Sequence, residues 1–117
     1  MDSVPVRRSL WLLALPALLA TSLWQSQLAA AAAPAEPRAG ALLQLLHNDC
    51  GACHGLSLKG GLGSPLTPQA LAGKPADSLV ATILNGRPGT PMPPWRPFLS
   101  EEEAQWLVQL LQQGGAR

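Results

Sequence analysis

The chain has 117 residues, a formal net charge of +1 and 13% charged residues, roughly half the share usual in a soluble domain. This length predicts one domain, and the near-neutral balance excludes a nucleic-acid binder relying on a basic surface. Tyrosine is absent, glycine and proline together number 23, and strand-like alternation is scarce, which argues against an all-β domain and against a doubly wound α/β fold.

Residues 1–31 read as a secretory signal peptide. Arg7 and Arg8 form its positive start, and Leu10 to Ala20 its apolar stretch. Ala29 to Ala33 offers several Ala-x-Ala cleavage registers. The apolar run is short for a membrane span and is interrupted by Pro16. Removal of this segment leaves about 86 residues, exported, with six cations (Arg38, Lys59, Lys74, Arg87, Arg96, Arg117) against six carboxylates (Glu36, Asp49, Asp77, Glu101, Glu102, Glu103). A domain of that size has a modest core and often needs a staple.

Residues 32–39 form a Pro/Ala linker, followed by one domain over residues 40–113 and a short tail over 114–117. Leu42, Leu43, Leu45 and Leu46 predict a helix over residues 40–49. Gly55 to Pro68 reads as loop. Thr67-Pro68 is an N-cap followed by proline at the first helical position, opening a turn through Leu71. Leu79, Val80, Ile83 and Leu84 form the stripe of a helix from Ala76 to Asn85, with Gly86 as its stop. Arg87 to Pro97 is rich in proline and must be extended or turn-like. Ser100 and Glu103 form a capping box, and the three glutamates stand in the first turn, where the helix dipole favours them. Trp106, Leu107, Leu110 and Leu111 give that helix its apolar face, and Gly114-Gly115 ends it. The expected fold class is all-α, three main helices with long loops, and loops that long need something to pack against.

Cys50-Gly51-Ala52-Cys53-His54 is a C-x-x-C-H sequence, the attachment motif of c-type haem. Two residues between the thiols allow each sulfur to form a thioether with one vinyl group, and the following histidine becomes the proximal iron ligand. The chain has two cysteines, both within the motif. Three rival readings stand beside covalent haem: a structural disulfide closing a tiny loop, a thioredoxin-like redox pair, and a zinc site from His47, Cys50, Cys53 and His54. With Met1 in the signal segment, Met92 is the remaining methionine, framed by prolines in Gly89-Thr90-Pro91-Met92-Pro93-Pro94-Trp95. It is the candidate sixth ligand; the alternative is a packing methionine beside a five-coordinate iron. His47 is a weaker candidate. A His/Met pair raises the reduction potential and leaves outer-sphere electron transfer as the remaining chemistry.

Residues 40–113 resemble a small class I cytochrome c. The resemblance implies an N-terminal helix crossing a C-terminal one around a single covalent haem, here through Leu42/Leu46 and Trp106/Leu110. The family often has a glycine and an aromatic in its first helix where this chain has Leu42 and Leu46. It also implies that Pro65, in Gly63-Ser64-Pro65-Leu66, offers its carbonyl to His54. The segments CGACHGLSLKGGLGSPLTPQAL and LVATILNGRPGTPMPPWRPFLSEEEAQWL are similar to small periplasmic cytochromes encoded beside the haem-d-containing dissimilatory nitrite reductase. That similarity implies electron delivery to the reductase, or a role in maturing its haem d; the chain is expected to be a monomer and an electron-transfer protein rather than an enzyme. An electron carrier for another respiratory complex, and a haem-binding sensor or enzyme with an open or labile distal site, are the alternatives. Lys59, Arg87 and Arg96 stand on the loops expected to flank the haem, as propionate or partner contacts or as ordinary solvated charge.

Overall fold

A computed structural model describes residues 30–116. The expected signal peptide lies outside them except for its last two residues, as does Arg117. Among the described residues there is no strand, and no helix is long and apolar enough to cross a membrane.

The first helix, α1, spans Arg38–Leu45, so it starts two residues inside the expected linker. Its first turn has no side-chain N-cap, but the Glu36 carboxylate accepts from the Gly40 N–H at 3.2 Å. The longer reason is tertiary. Arg38 makes a two-pronged pair with Glu103, at 2.5 Å from Nε and 2.9 Å from Nη2, and Nη2 also donates to the Phe98 carbonyl at 2.9 Å. A cation at a helix N-terminus opposes the dipole. Here a carboxylate 65 positions away compensates it and ties the starts of the first and last helices together.

The helix does not stop at residue 49 as its periodicity predicts. It widens into a π-helical turn at Leu46–Cys50, closed by the Gly51 N–H on the Leu46 carbonyl, and resumes as α2 over Gly51–His54. Gly51 is buried, and a Cβ there would make ordinary contacts, the nearest with Leu56 Cα at 3.6 Å. Gly55, at φ +89°, ends the run.

Helix α3 (Pro68–Leu71) begins as expected, with Thr67 Oγ1 accepting from the Ala70 N–H at 3.3 Å. Helix α4 (Ala76–Asn85) buries Val80 and Leu84 and half-buries Leu79 and Ile83. Helix α5 (Glu101–Gln113) carries the full capping box: Ser100 Oγ accepts from the Glu103 N–H at 3.2 Å, and Glu103 accepts from the Ser100 N–H at 2.9 Å. Gly114 closes it in the left-handed region.

Leu42 and Leu46 share one core with Val80, Leu84, Ala104, Leu107, Val108 and Leu111. The buried stripe of α5 is therefore Ala104, Leu107, Val108 and Leu111, at i, i+3, i+4 and i+7. Trp106 and Leu110, the expected crossing residues, are half-buried at the edge of that core. Leucines in place of the glycine and aromatic fit this arrangement, because both are fully enclosed, at 0% and 1% exposure. Burying each contributes roughly 1.5–3 kcal/mol.

Candidate functional site

The core has a hollow. A cavity of about 570 Å³ opens between the helices, within the roughly 300–1,000 Å³ common to ligand sites. Leu46, Leu66, Ile83, Trp95, Leu107 and Val108 give it apolar walls, and Cys50, Cys53, His54, Pro65 and Met92 all line it. The structure thus brings the two cysteines, His54, Pro65 and Met92 to one space.

Cys50 is the last residue of the π-helical turn, and Cys53 and His54 end α2. Neither cysteine is disulfide-bonded. Burial and then the Asp49 carboxylate push the Cys50 thiol up to about 11, which keeps it protonated at neutral pH. Among the described residues no three of the His, Cys, Asp and Glu side chains gather as a metal cluster, so the zinc reading fails. A thioredoxin-like site loses its scaffold with the absence of strands from the described residues. His47 is half-buried in the π-helical turn and does not line the cavity.

His54 Nδ1 lies 2.6 Å from the carbonyl oxygen of Ser64. A carbonyl only accepts, so Nδ1 carries the ring proton and Nε2 keeps its lone pair for a metal. The acceptor expected from the resemblance was Pro65; the structure places it one residue earlier. The reason is local. The Gly63 N–H donates to the Cys53 carbonyl at 2.7 Å, which pins the loop against the end of α2. Pro65 biases Ser64 toward an extended backbone, and the Ser64 carbonyl then meets the ring while Pro65 itself lines the cavity. Gly63 makes the approach possible, since a Cβ there would stand 2.7 Å from both Cε1 and Nδ1 of His54. Neither Ser64 nor Gly63 was found from the sequence. The spacing of a glycine two residues before the proline was the available signal.

Met92 is half-buried in a loop that α4 holds from behind. The Arg87 N–H donates to the Met92 carbonyl at 3.1 Å, and the Met92 N–H to Thr90 Oγ1 at 3.3 Å. The carbonyls of Ile83 and Leu84, otherwise orphaned at the helix end, accept from Trp95 and Arg96 at 3.1 and 3.2 Å.

Of the three cations singled out, Arg87 lines the cavity. Arg96 instead bonds Asn85 Oδ1 at 3.3 Å, and Lys59 is exposed away from the cavity lining. Lys74, which sequence reasoning passed over, is a second cation on the wall.

The donor set fits a covalently held haem. Two thiols with two residues between them, an imidazole with a free Nε2 and a thioether face one apolar space, and polar groups are confined to a few wall positions.

Comparison with known proteins agrees. A family model described as "Cytochrome C oxidase, cbb3-type, subunit III" matches residues 37–111. A cytochrome c55X from Pseudomonas aeruginosa is 60% identical over 81 residues, spanning 69% of this chain and 68% of that protein. The solved structure of a c-type cytochrome NirC matches with a TM-score of 0.69 and 58% identity over 71% of this chain and 98% of its own. The structure of the dihydro-haem d1 dehydrogenase NirN in complex with DHE matches with a TM-score of 0.55 and 36% identity, covering 59% of this chain and 15% of that one.

Proposed function

The chain belongs to the cytochrome c family described by the cbb3-type subunit III model, a c-type cytochrome whose work is electron transfer, and on that premise we propose that it is a periplasmic one-electron carrier with His54 and Met92 as axial ligands, serving the dissimilatory nitrite reductase system. The observation that carries this is the shared cavity. Cys50, Cys53 and His54 from one stretch of chain and Met92 from another line the same apolar space.

Haem c bound through Cys50 and Cys53 supplies a one-electron Fe(III)/Fe(II) couple. The residues around it set how that couple behaves. The Ser64 carbonyl fixes the His54 ring and makes Nε2 a stronger donor. The Met92 thioether is a soft donor that favours Fe(II) and raises the potential. Leu66, Ile83, Leu107 and Val108 exclude water from the cavity, which disfavours the more highly charged ferric state in the same direction. Lys74 and Arg87, both on the wall, offer positive charge to the cofactor's carboxylates.

The export signal read in residues 1–31 supports a periplasmic location. The likeness to NirC and to part of NirN supports a partner in the nitrite reductase system. A specific observation favours maturation of its haem d over direct electron supply to the reductase. NirN is named as a dehydrogenase of dihydro-haem d1; removing hydrogen releases two electrons, and a one-electron carrier accepts them singly.

The test is an absorption spectrum of the reduced, haem-loaded protein with and without carbon monoxide. The unsubstituted protein should show no change, and Met92→Ala should bind carbon monoxide and lose its high potential. Carbon monoxide binding by the unsubstituted protein would show an open site and overturn the ligand assignment.

A further inference from the structure

The structure assigns Gly86 a role beyond stopping α4: we propose that it is the positioning residue for Met92. Its φ is +67° with ψ at −169°, a backbone conformation essentially confined to glycine. The decisive feature is what lies against it. A Cβ built at Gly86 would stand 2.7 Å from the Met92 carbonyl oxygen, the Pro93 carbonyl carbon and the Pro94 nitrogen. All three are backbone atoms, so the neighbour cannot turn aside as the end of a side chain could.

The loop around this contact is closed on both flanks. Arg87 N–H holds the Met92 carbonyl, and Trp95 and Arg96 bind the last carbonyls of α4. Between these anchors, prolines at 91, 93 and 94 leave few dihedrals free to absorb a displacement. A side chain at Gly86 must therefore push the Met92–Pro94 backbone itself, and the thioether moves with it. This inference rests on the reading of Met92 as an iron ligand and deepens it.

Gly89 provides the control. It lies in the same loop at φ +78°, yet a Cβ there would meet nothing within 4 Å. Gly86→Ala and Gly89→Ala both place a side chain at positive φ, and Gly86→Ala alone adds the contact.

The experiment measures carbon monoxide affinity of the reduced, haem-loaded full-length chain, the Fe(III)–thioether absorption and the far-ultraviolet helical signal. Gly86→Ala should raise the affinity at least about tenfold, because apparent affinity scales with the fraction of molecules whose site is open. It should weaken the thioether absorption with the helical signal kept, while Gly89→Ala stays like the unsubstituted protein. A closed site in Gly86→Ala overturns the proposal. So does an equal opening in Gly89→Ala, which would make backbone strain the cause, and so does loss of the helical signal in Gly86→Ala, which would make the glycine a determinant of the fold. If Met92→Ala itself leaves both optical readings unchanged, the ligand assignment fails and takes this proposal with it.

Discussion

The His54 segment and the Met92 loop present one candidate ligand each, and they are held in opposite ways. His54 follows directly on Cys53 at the end of a helix, and the following loop folds back onto that helix end: Gly60 N–H takes the His54 carbonyl at 2.8 Å and Gly63 N–H the Cys53 carbonyl at 2.7 Å. The ring is then bonded by the Ser64 carbonyl. Met92 has no helix of its own. Its loop borrows the carbonyl end of α4, and its side chain position depends on backbone lying against Gly86. One ligand is fixed by what surrounds its ring, the other by what lies behind its main chain. The difference teaches where each is vulnerable. The histidine responds to changes beside its ring, and the methionine to changes in the loop's support.

Substitutions can break this contrast. The largest loss of stability is expected from Leu46→Ala, because Leu46 is the buried first residue of the π-helical turn and also lines the cavity. It should cost about 2–5 kcal/mol, read as a lower urea midpoint, and should disturb both ligand segments together. Gly63→Ala acts on one side. Its Cβ would meet the His54 ring at 2.7 Å, and overpacking of this kind costs roughly 1–3 kcal/mol. Nuclear magnetic resonance of the haem-loaded protein should show a displaced His54 Nδ1 proton while Met92 signals stay in place. A matched change in the Met92 signals would show that the two segments are mechanically coupled.

The smallest effect sharpens the contrast from outside the site. The Arg38 guanidinium, then the Ser100 N–H, hold the Glu103 carboxyl down to about 2. A carboxylate whose pKa is depressed on folding contributes stability above its ordinary value near 4.5 and loses it as pH falls toward 2. The melting temperature should therefore fall slightly over that interval, and Glu103→Gln should flatten that part of the curve. Neither ligand segment includes this pair, so the spectrum of the haem should not follow the change.

What could be read from the sequence follows the range of the interaction responsible. Thr67-Pro68, Ser100 with Glu103, Gly86 and Gly114 are signals written within four residues of where they act, and all stand where they were expected. The start of α1 at Arg38 was not legible, because its cause is Glu103, far along the chain. The continuation of the first helix to His54 was hidden by Asn48, Asp49 and Gly51, poor helix formers whose preference the surrounding core overrides. In the site, the cysteines, His54 and Met92 were legible because their chemistry is specific to residue type. Ser64, Gly63 and the contact made by Gly86 were not. Ser64 acts through its main-chain carbonyl, and the two glycines through the absence of a side chain, which sequence pattern does not advertise.

The widened turn at Leu46–Cys50 has a consequence for how the chain could vary. An α-helix advances by roughly 100° per residue, so one residue more or less in this turn changes the phase of everything downstream. The π-helical turn winds less per residue, so regular winding over the same residues would swing both thiols and the imidazole around the helix axis, away from the hollow they now face. A sibling whose turn wound regularly over the same number of residues would keep its motif intact in sequence and still be unable to mount its cofactor.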